Sequence, residues 1–181
     1  MISFQAKPTL KQVFWIYCSL IFNTAASAES EPIFTSVATN QCLAEAYKLS
    51  SSLLGHRVLD CVGLSAKDCM ASQGGDTTIG MMTCLQREVE FWELRLNTAY
   101  SKHLLIADKQ DAEINNVRAT NISLSNKLKI MQRAWIDYKN AACLYEQAQW
   151  LGGSGGGPAT IACHMHETAR QALKLEGWWP Q

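Results

Sequence analysis

Beyond residue 28 the sequence holds no second hydrophobic span, no cluster of basic residues, and no proline inside its two longest periodic segments. Each absence removes a class of protein. Without a further apolar stretch of about 20 residues there is no permanent membrane helix. Without clustered lysine and arginine there is none of the basic stripe that nucleic-acid binding requires. Uninterrupted periodic segments leave long helices as the simplest reading of the chain's second half. No internal repeat is present either, which excludes a solenoid.

The first 28 residues read differently. Lys7 and Lys11 precede an apolar run from Val13 to Phe22, and Ala26-Ser27-Ala28 then supplies small residues before Glu29. That order predicts a secretory signal peptide over residues 1–28, too short to remain as a spanning helix. Cys18 follows Trp15-Ile16-Tyr17, residues too large for a lipidation site. The exported chain is therefore expected to be soluble and periplasmic or secreted, with no membrane anchor after cleavage.

Export changes the composition. Without Lys7 and Lys11, 14 basic residues face 16 acidic ones, a net charge of −2. Without Cys18, six cysteines remain: Cys42, Cys61, Cys69, Cys84, Cys143 and Cys163. An even number in an oxidising compartment favours three disulfides over free thiols or metal ligands. Six cysteines permit 15 pairings, so spacing has to narrow the choice.

Leu124, Leu128, Met131, Trp135, Tyr138, Ala142 and Tyr145 recur at alternating steps of four and three. This is one apolar stripe on a helix beginning near Ser123. Met82, Leu85, Val89, Trp92, Leu96, Ala99 and His103 form a second stripe on a helix from Gly80 to about Ile106, with Thr77 or Thr78 as N-cap. Both stripes are expected to face the core. Residues 108–126 are polar and either extend a helix or open into a connection. Toward the N-terminus, Leu43, Ala46, Tyr47, Leu53 and Leu54 predict a helix within residues 36–54 that ends at Gly55, followed by a loop-rich stretch through Gly74-Gly75.

Five glycines crowd into Gly152, Gly153, Ser154, Gly155, Gly156 and Gly157, ahead of a last helix predicted from Pro158 to Leu175. Proline suits a helix's first turn, where its missing N–H costs nothing. Helices joined by a short loop become antiparallel neighbours. Cys143 lies 11 residues before Ser154 and Cys163 lies 9 after it, so the two cysteines sit at similar heights on facing helices. A Cys143–Cys163 disulfide is expected, and closing such a loop contributes about 3 kcal/mol. The best remaining pairs by spacing are Cys61–Cys69, as a local loop, and Cys42–Cys84, between helices.

Chemical readings of the same residues are weaker. After Gly157 the chain continues Pro158-Ala159, and no lysine follows before Lys174, so the glycines are no nucleotide-phosphate loop. His164 and His166 are two apart and leave a helix on different sides, whereas a helical chelate uses spacings of three or four. A soft copper site on His164, Met165 and His166 is the form that a metal-handling alternative takes. The histidines His56, His103, His164 and His166 show no catalytic context, and Glu88 and Glu90 read as a solvated face. No catalytic residues or cofactor are assigned. A hydrolase would need a site assembled only in three dimensions.

Beginning at Cys84, Trp92-Glu93-Leu94-Arg95-Leu96-Asn97 followed by Tyr100 resembles the "LN..Y" helix of the LprI-like lysozyme-inhibitor N-terminal domain family. Gln132-Arg133-Ala134-Trp135-Ile136, Tyr138-Lys139, Ala141 and Cys143 are similar to that family's next helix. Gly152-Gly153-Ser154, Cys163 and Thr168-Ala169-Arg170, with Leu173 and Leu175, complete the likeness over residues 84–175. The resemblance implies a small, exported, disulfide-bonded helical domain of bacteria, in a family named for a lipoprotein that inhibits lysozyme. It implies fold roles for Asn97, Trp135, Cys143 and Cys163. The chain departs from the family in lacking a lipobox and in carrying an extension with Cys42, Cys61 and Cys69.

The expected architecture is all-α: a small antiparallel helical bundle stapled by disulfides. Residues 29–83 form a loop-rich N-terminal extension, residues 84–175 the bundle, and residues 176–181 a tail. The expected function is binding, not catalysis. The partner is lysozyme or another cell-wall hydrolase, whose cleft is occluded by the loop at Gly152–Gly157 or the one between Cys61 and Cys69.

Overall fold

The computed structural model describes residues 31–48, 57–117 and 121–178. Its helices are α1 (Val37–Ala46), α2 (Leu64–Met70), α3 (Thr78–Val117), α4 (Leu124–Ala148) and α5 (Gly156–Leu175). Among the described residues there is no strand. The signal peptide expected over residues 1–28 lies outside them, as do Leu53, Leu54, Gly55 and His56.

α3 is the axis of the molecule. Its 40 residues rise about 60 Å at 1.5 Å each. Leu85, Val89, Trp92 and Leu96 are buried against Met165, Ala169, Ala172 and Leu173 of α5. The alanines let the two backbones approach, and Trp92 fills the space between them. Burying each large apolar side chain contributes about 1.5–3 kcal/mol. Leu43 and Ala46 of α1, with Val58, Cys61, Val62 and Ala66, join the same cluster. The N-terminal extension is thus part of the core.

The α3 stripe is buried as expected from Leu85 to Ala99, while Met82 is partly buried and His103 is exposed. The α4 stripe is only half right. Leu128, Met131, Trp135 and Ala142 are partly buried, but Leu124, Tyr138 and Tyr145 are exposed. α4 packs mainly on α5 and more lightly on α3. Partners on one side only bury a narrow strip, and a strict heptad stripe drifts off such a strip by about 20° per heptad.

α3 also runs beyond its expected end near Ile106, and its polar last turns have a partner. Asp111 accepts hydrogen bonds from Leu124 N–H (2.7 Å) and Ser125 N–H (3.1 Å), at the free N-terminus of α4. The Ser123 and Ser125 hydroxyls donate to it at 2.8 and 2.9 Å, and Ser123 Oγ caps Asn126 N–H. The Leu124 backbone bond, with the Ser123 hydroxyl next, brings the Asp111 pKa from an ordinary 3.8 down to about 2. A depressed folded-state pKa gives stability that is present above the unfolded value and lost as pH falls through the folded one. Asp111→Ala should therefore lower the melting temperature at neutral pH. Its gap from the unaltered protein should narrow between about pH 4 and pH 2, as followed by circular dichroism.

Three disulfides close the fold. Cys143–Cys163 joins α4 to α5 as expected. The other two correct the expected pairing: Cys42 bonds Cys61, and Cys69 bonds Cys84. A local Cys61–Cys69 bridge fails because α2 occupies the interval. Cys61 lies in the turn ahead of that helix while Cys69 rides near its end, and each sulfur meets a different partner. Cys42–Cys84 fails because α1 packs on α2, and Cys61 in the turn ahead of α2 and Cys69 near its end carry the bonds onward to α1 and α3.

Candidate functional site

The hairpin between α4 and α5 is wound, not slack. Leu151 N–H donates to Ala148 O (3.0 Å), Gly153 N–H to Trp150 O (2.8 Å), and Gly156 N–H to Gly153 O (3.0 Å). α5 starts at Gly156, two residues before its expected beginning, and Pro158 falls within the first turn. Two glycines are required by geometry. Gly152 has φ +86°, which side chains rarely adopt. A Cβ on Gly155 would fall 2.0 Å from the Trp150 ring, so the indole packs where a side chain would stand.

At the tip, Leu151 is the one non-glycine residue with positive φ among the described residues (49°), and it is 94% exposed. A leucine held in the left-handed region stores about 1–2 kcal/mol, and here no burial offsets it. Trp150, 52% exposed, stands beside it, and Leu144 and Tyr145 continue the apolar surface along α4. Residues 150–160 carry no charge. The fully buried Cys143 and its bond to Cys163 hold the base of the hairpin. The arrangement can present an uncharged aromatic–aliphatic knob on a rigid stalk.

Ser154 meets the spacing of a nucleophile elbow through Gly152-x-Ser154-x-Gly156, a match easily overlooked in a glycine run. The elbow requires a strand before the turn, and here α4 precedes it. Among the described residues no histidine hydrogen-bonds the Ser154 hydroxyl.

The other sequence candidates are dispersed. The Cys61–Cys69 segment does not project: it contains α2, with Val62, Ser65 and Ala66 buried. Met165 is buried in the core, its Cε close to Gly63, and does not share a face with either histidine. His164 is half-buried, and desolvation with the Lys139 ammonium lowers its pKa while Glu93 opposes the shift. His166 is exposed on another side of α5. Among the described residues no group of three or more histidine, cysteine or acidic side chains could hold a metal ion. Trp135 packs against the core with Lys139 over its ring at 4.9 Å, whereas Asn97 is on an exposed part of α3.

Glu88 is the clearest reversal. Expected on a solvated face with Glu90, it is fully buried. It accepts hydrogen bonds from Gly63 N–H (2.7 Å), Ala66 N–H (2.6 Å), Thr39 Oγ1 (3.0 Å) and Trp92 Nε1 (3.2 Å). Two of these donors are backbone groups at the start of α2, where helical N–H groups lack partners of their own. Of the residues expected as a tail, Glu176 and Trp178 are also engaged. Glu176 receives Arg95, and Trp178 stacks on Tyr47 with ring centroids 3.9 Å apart. No sequence pattern announces either contact.

Comparison with known proteins adds family information. The model of the family described as "Lysozyme inhibitor LprI" matches residues 69–175, so the match takes in the Cys69–Cys84 bond as well as the α4–α5 hairpin. An uncharacterised 17.7 kDa protein of Rhodobacter capsulatus, from the puhA 5′ region, is 27% identical over 139 residues. That alignment covers 76% of this chain and 82% of the relative. No solved structure matches the chain.

Proposed function

This chain belongs to the LprI lysozyme-inhibitor family, and on that premise we propose that it is an exported inhibitor whose α4–α5 hairpin tip occludes the active-site cleft of lysozyme or a related wall hydrolase. The observation that carries the reading is Leu151: fully presented to solvent, conformationally strained, and mounted beside Trp150 on a disulfide-stapled turn. Local strain at a site that stability does not explain points to function.

Inhibition needs no catalytic group. It needs an element that enters a cleft and excludes substrate, with a small free-energy cost of ordering on binding. A hairpin already wound by backbone hydrogen bonds and tied at Cys143–Cys163 loses little freedom on docking. Trp150 is of a residue type enriched among interface anchors, and Leu151 beside it is 94% exposed. The uncharged tip suits contact with both acidic and neutral cleft surfaces.

An exported location agrees with the family and with three disulfides, which persist in oxidising compartments. Among the described residues no helix is long and apolar enough to cross a membrane. Removal of residues 1–28 as a signal peptide belongs to the same proposal. The metal-handling alternative loses its support, since Met165 is committed to the core.

The test is a set of lytic assays in which the disulfide-bonded chain is added to lysozymes of several classes. Dose-dependent inhibition of at least one class is expected. No inhibition of any class at micromolar excess would overturn the proposal.

A further inference from the structure

At the end of α5 opposite the tip, about 30 Å away by helix rise, α3 and the last turn of α5 border a groove of about 760 Å³. Leu94, Ala99, Ile106 and Leu175 give it apolar walls, and Trp178 stacked on Tyr47 closes one side. Its size lies within the range of small-molecule sites, which are mostly apolar with a few placed polar groups.

The charges on this groove are unevenly spent. Arg95 is satisfied internally: its Nε and terminal nitrogen donate to the Glu176 carboxylate at 3.0 and 2.6 Å, and the same nitrogen reaches Tyr47 Oη at 2.9 Å. Glu176, the one acidic residue of the lining among the described residues, is thereby used up. His103 is occupied by the Leu175 carbonyl. Lys102 and Lys174 remain, both exposed on the groove's lining and in no ion pair among the described residues. Two uncompensated ammonium groups beside an apolar trough attract an anion and leave an adjoining surface that favours hydrocarbon.

We propose that this groove binds a single-chain anionic amphiphile, an alkyl carboxylate or alkyl phosphate whose head lies between Lys102 and Lys174 and whose chain lies along Leu94, Ile106 and Leu175. The site is independent of the hairpin tip and of the inhibitory reading.

Calorimetric titration of the purified chain with dodecyl phosphate, kept below its micelle-forming concentration, tests the assignment. Saturable one-to-one binding is expected, weakened at least tenfold in a Lys102→Glu/Lys174→Glu variant. Leu94→Asp, at a position 70% exposed, should weaken it through the apolar wall and serves if the double variant fails to fold. Inorganic phosphate alone and dodecyltrimethylammonium should bind at least tenfold more weakly. Absence of saturable binding, equal binding of the cationic amphiphile, or unchanged affinity in the folded variants would each overturn the proposal. So would co-sedimentation with phosphatidylglycerol vesicles in the absence of one-to-one binding, which would assign the lysines to a membrane surface.

Discussion

Replacing Glu88 by alanine is expected to destabilise the protein by about 3–5 kcal/mol, measured by urea denaturation with the disulfides intact. The side chain is fully buried and forms no ion pair among the described residues; four donors converge on its two oxygens instead. Burying a carboxyl group without such partners is costly, and the cost reappears from the other side when the acceptor is deleted. Gly63 N–H, Ala66 N–H, the Thr39 hydroxyl and the Trp92 indole then all lose this acceptor at a buried or part-buried position. The packing of α1 and α2 on α3 should loosen first, because three of these four donors belong to the N-terminal segment.

Glu88→Gln separates hydrogen bonding from volume. Oε1 accepts from Thr39, Gly63 and Trp92, while Oε2 accepts from Ala66. A glutamine can keep the first three contacts but must turn an NH2 group toward the Ala66 N–H. A loss of about 1–3 kcal/mol is expected, smaller than for alanine. Glu90→Ala, at an exposed neighbour, should change stability by less than about 0.5 kcal/mol. Equal, small effects for Gln and Ala at position 88 would show that this network does not hold the N-terminal segment.

The second large effect should fall on activity and leave stability alone. Leu151→Gly removes a side chain that is 94% exposed and relieves a positive φ of 49°. Glycine adopts that backbone freely but gains entropy in the unfolded chain, so the two contributions offset. The melting temperature should be unchanged or slightly higher. Lysozyme inhibition should fall at least tenfold, because the exposed apolar side chain at the tip is gone. Trp150→Ala should likewise reduce inhibition by taking away the ring packed over Gly155. Full inhibition by both variants would move the contact surface elsewhere while leaving the family assignment intact. A variant of unchanged stability and lost inhibition is what distinguishes a contact residue from a structural one.

How far these features are legible in the sequence depends on how local their causes are. The Cys143–Cys163 bond is legible because a short loop forces its flanking helices to be neighbours, and counting from Ser154 then matches heights. The same counting misleads at Cys61 and Cys69. It treats the intervening residues as a flexible loop, whereas they wind into α2 and carry the two sulfurs to opposite partners. The α3 stripe is legible because α3 has partners along most of its length. The α4 stripe has the same periodicity but not the same burial, since a helix at the margin of the bundle buries only the strip its neighbours touch.

Glu88 lies beyond such reading altogether. Glutamate is a residue of surfaces unless something in the fold supplies donors, and here three of the four donors come from residues 22 to 49 positions away in sequence. The groove at the foot of α5 is hidden for the same reason: Tyr47, Arg95 and Trp178 become a unit only once α1, α3 and the end of α5 meet.

By itself the sequence determined the helical class, an even set of six cysteines beyond residue 28 suited to an oxidising compartment, and a stapled hairpin between the last two helices. Those properties follow from periodicity, composition and short loop lengths, which act within one or two neighbouring elements. Only the tertiary structure decided how the four N-terminal cysteines pair, that Glu88 is an internal acceptor, and that Leu151 stands strained and bare at the tip. Each of these depends on which distant elements share a surface, a property that no local pattern encodes.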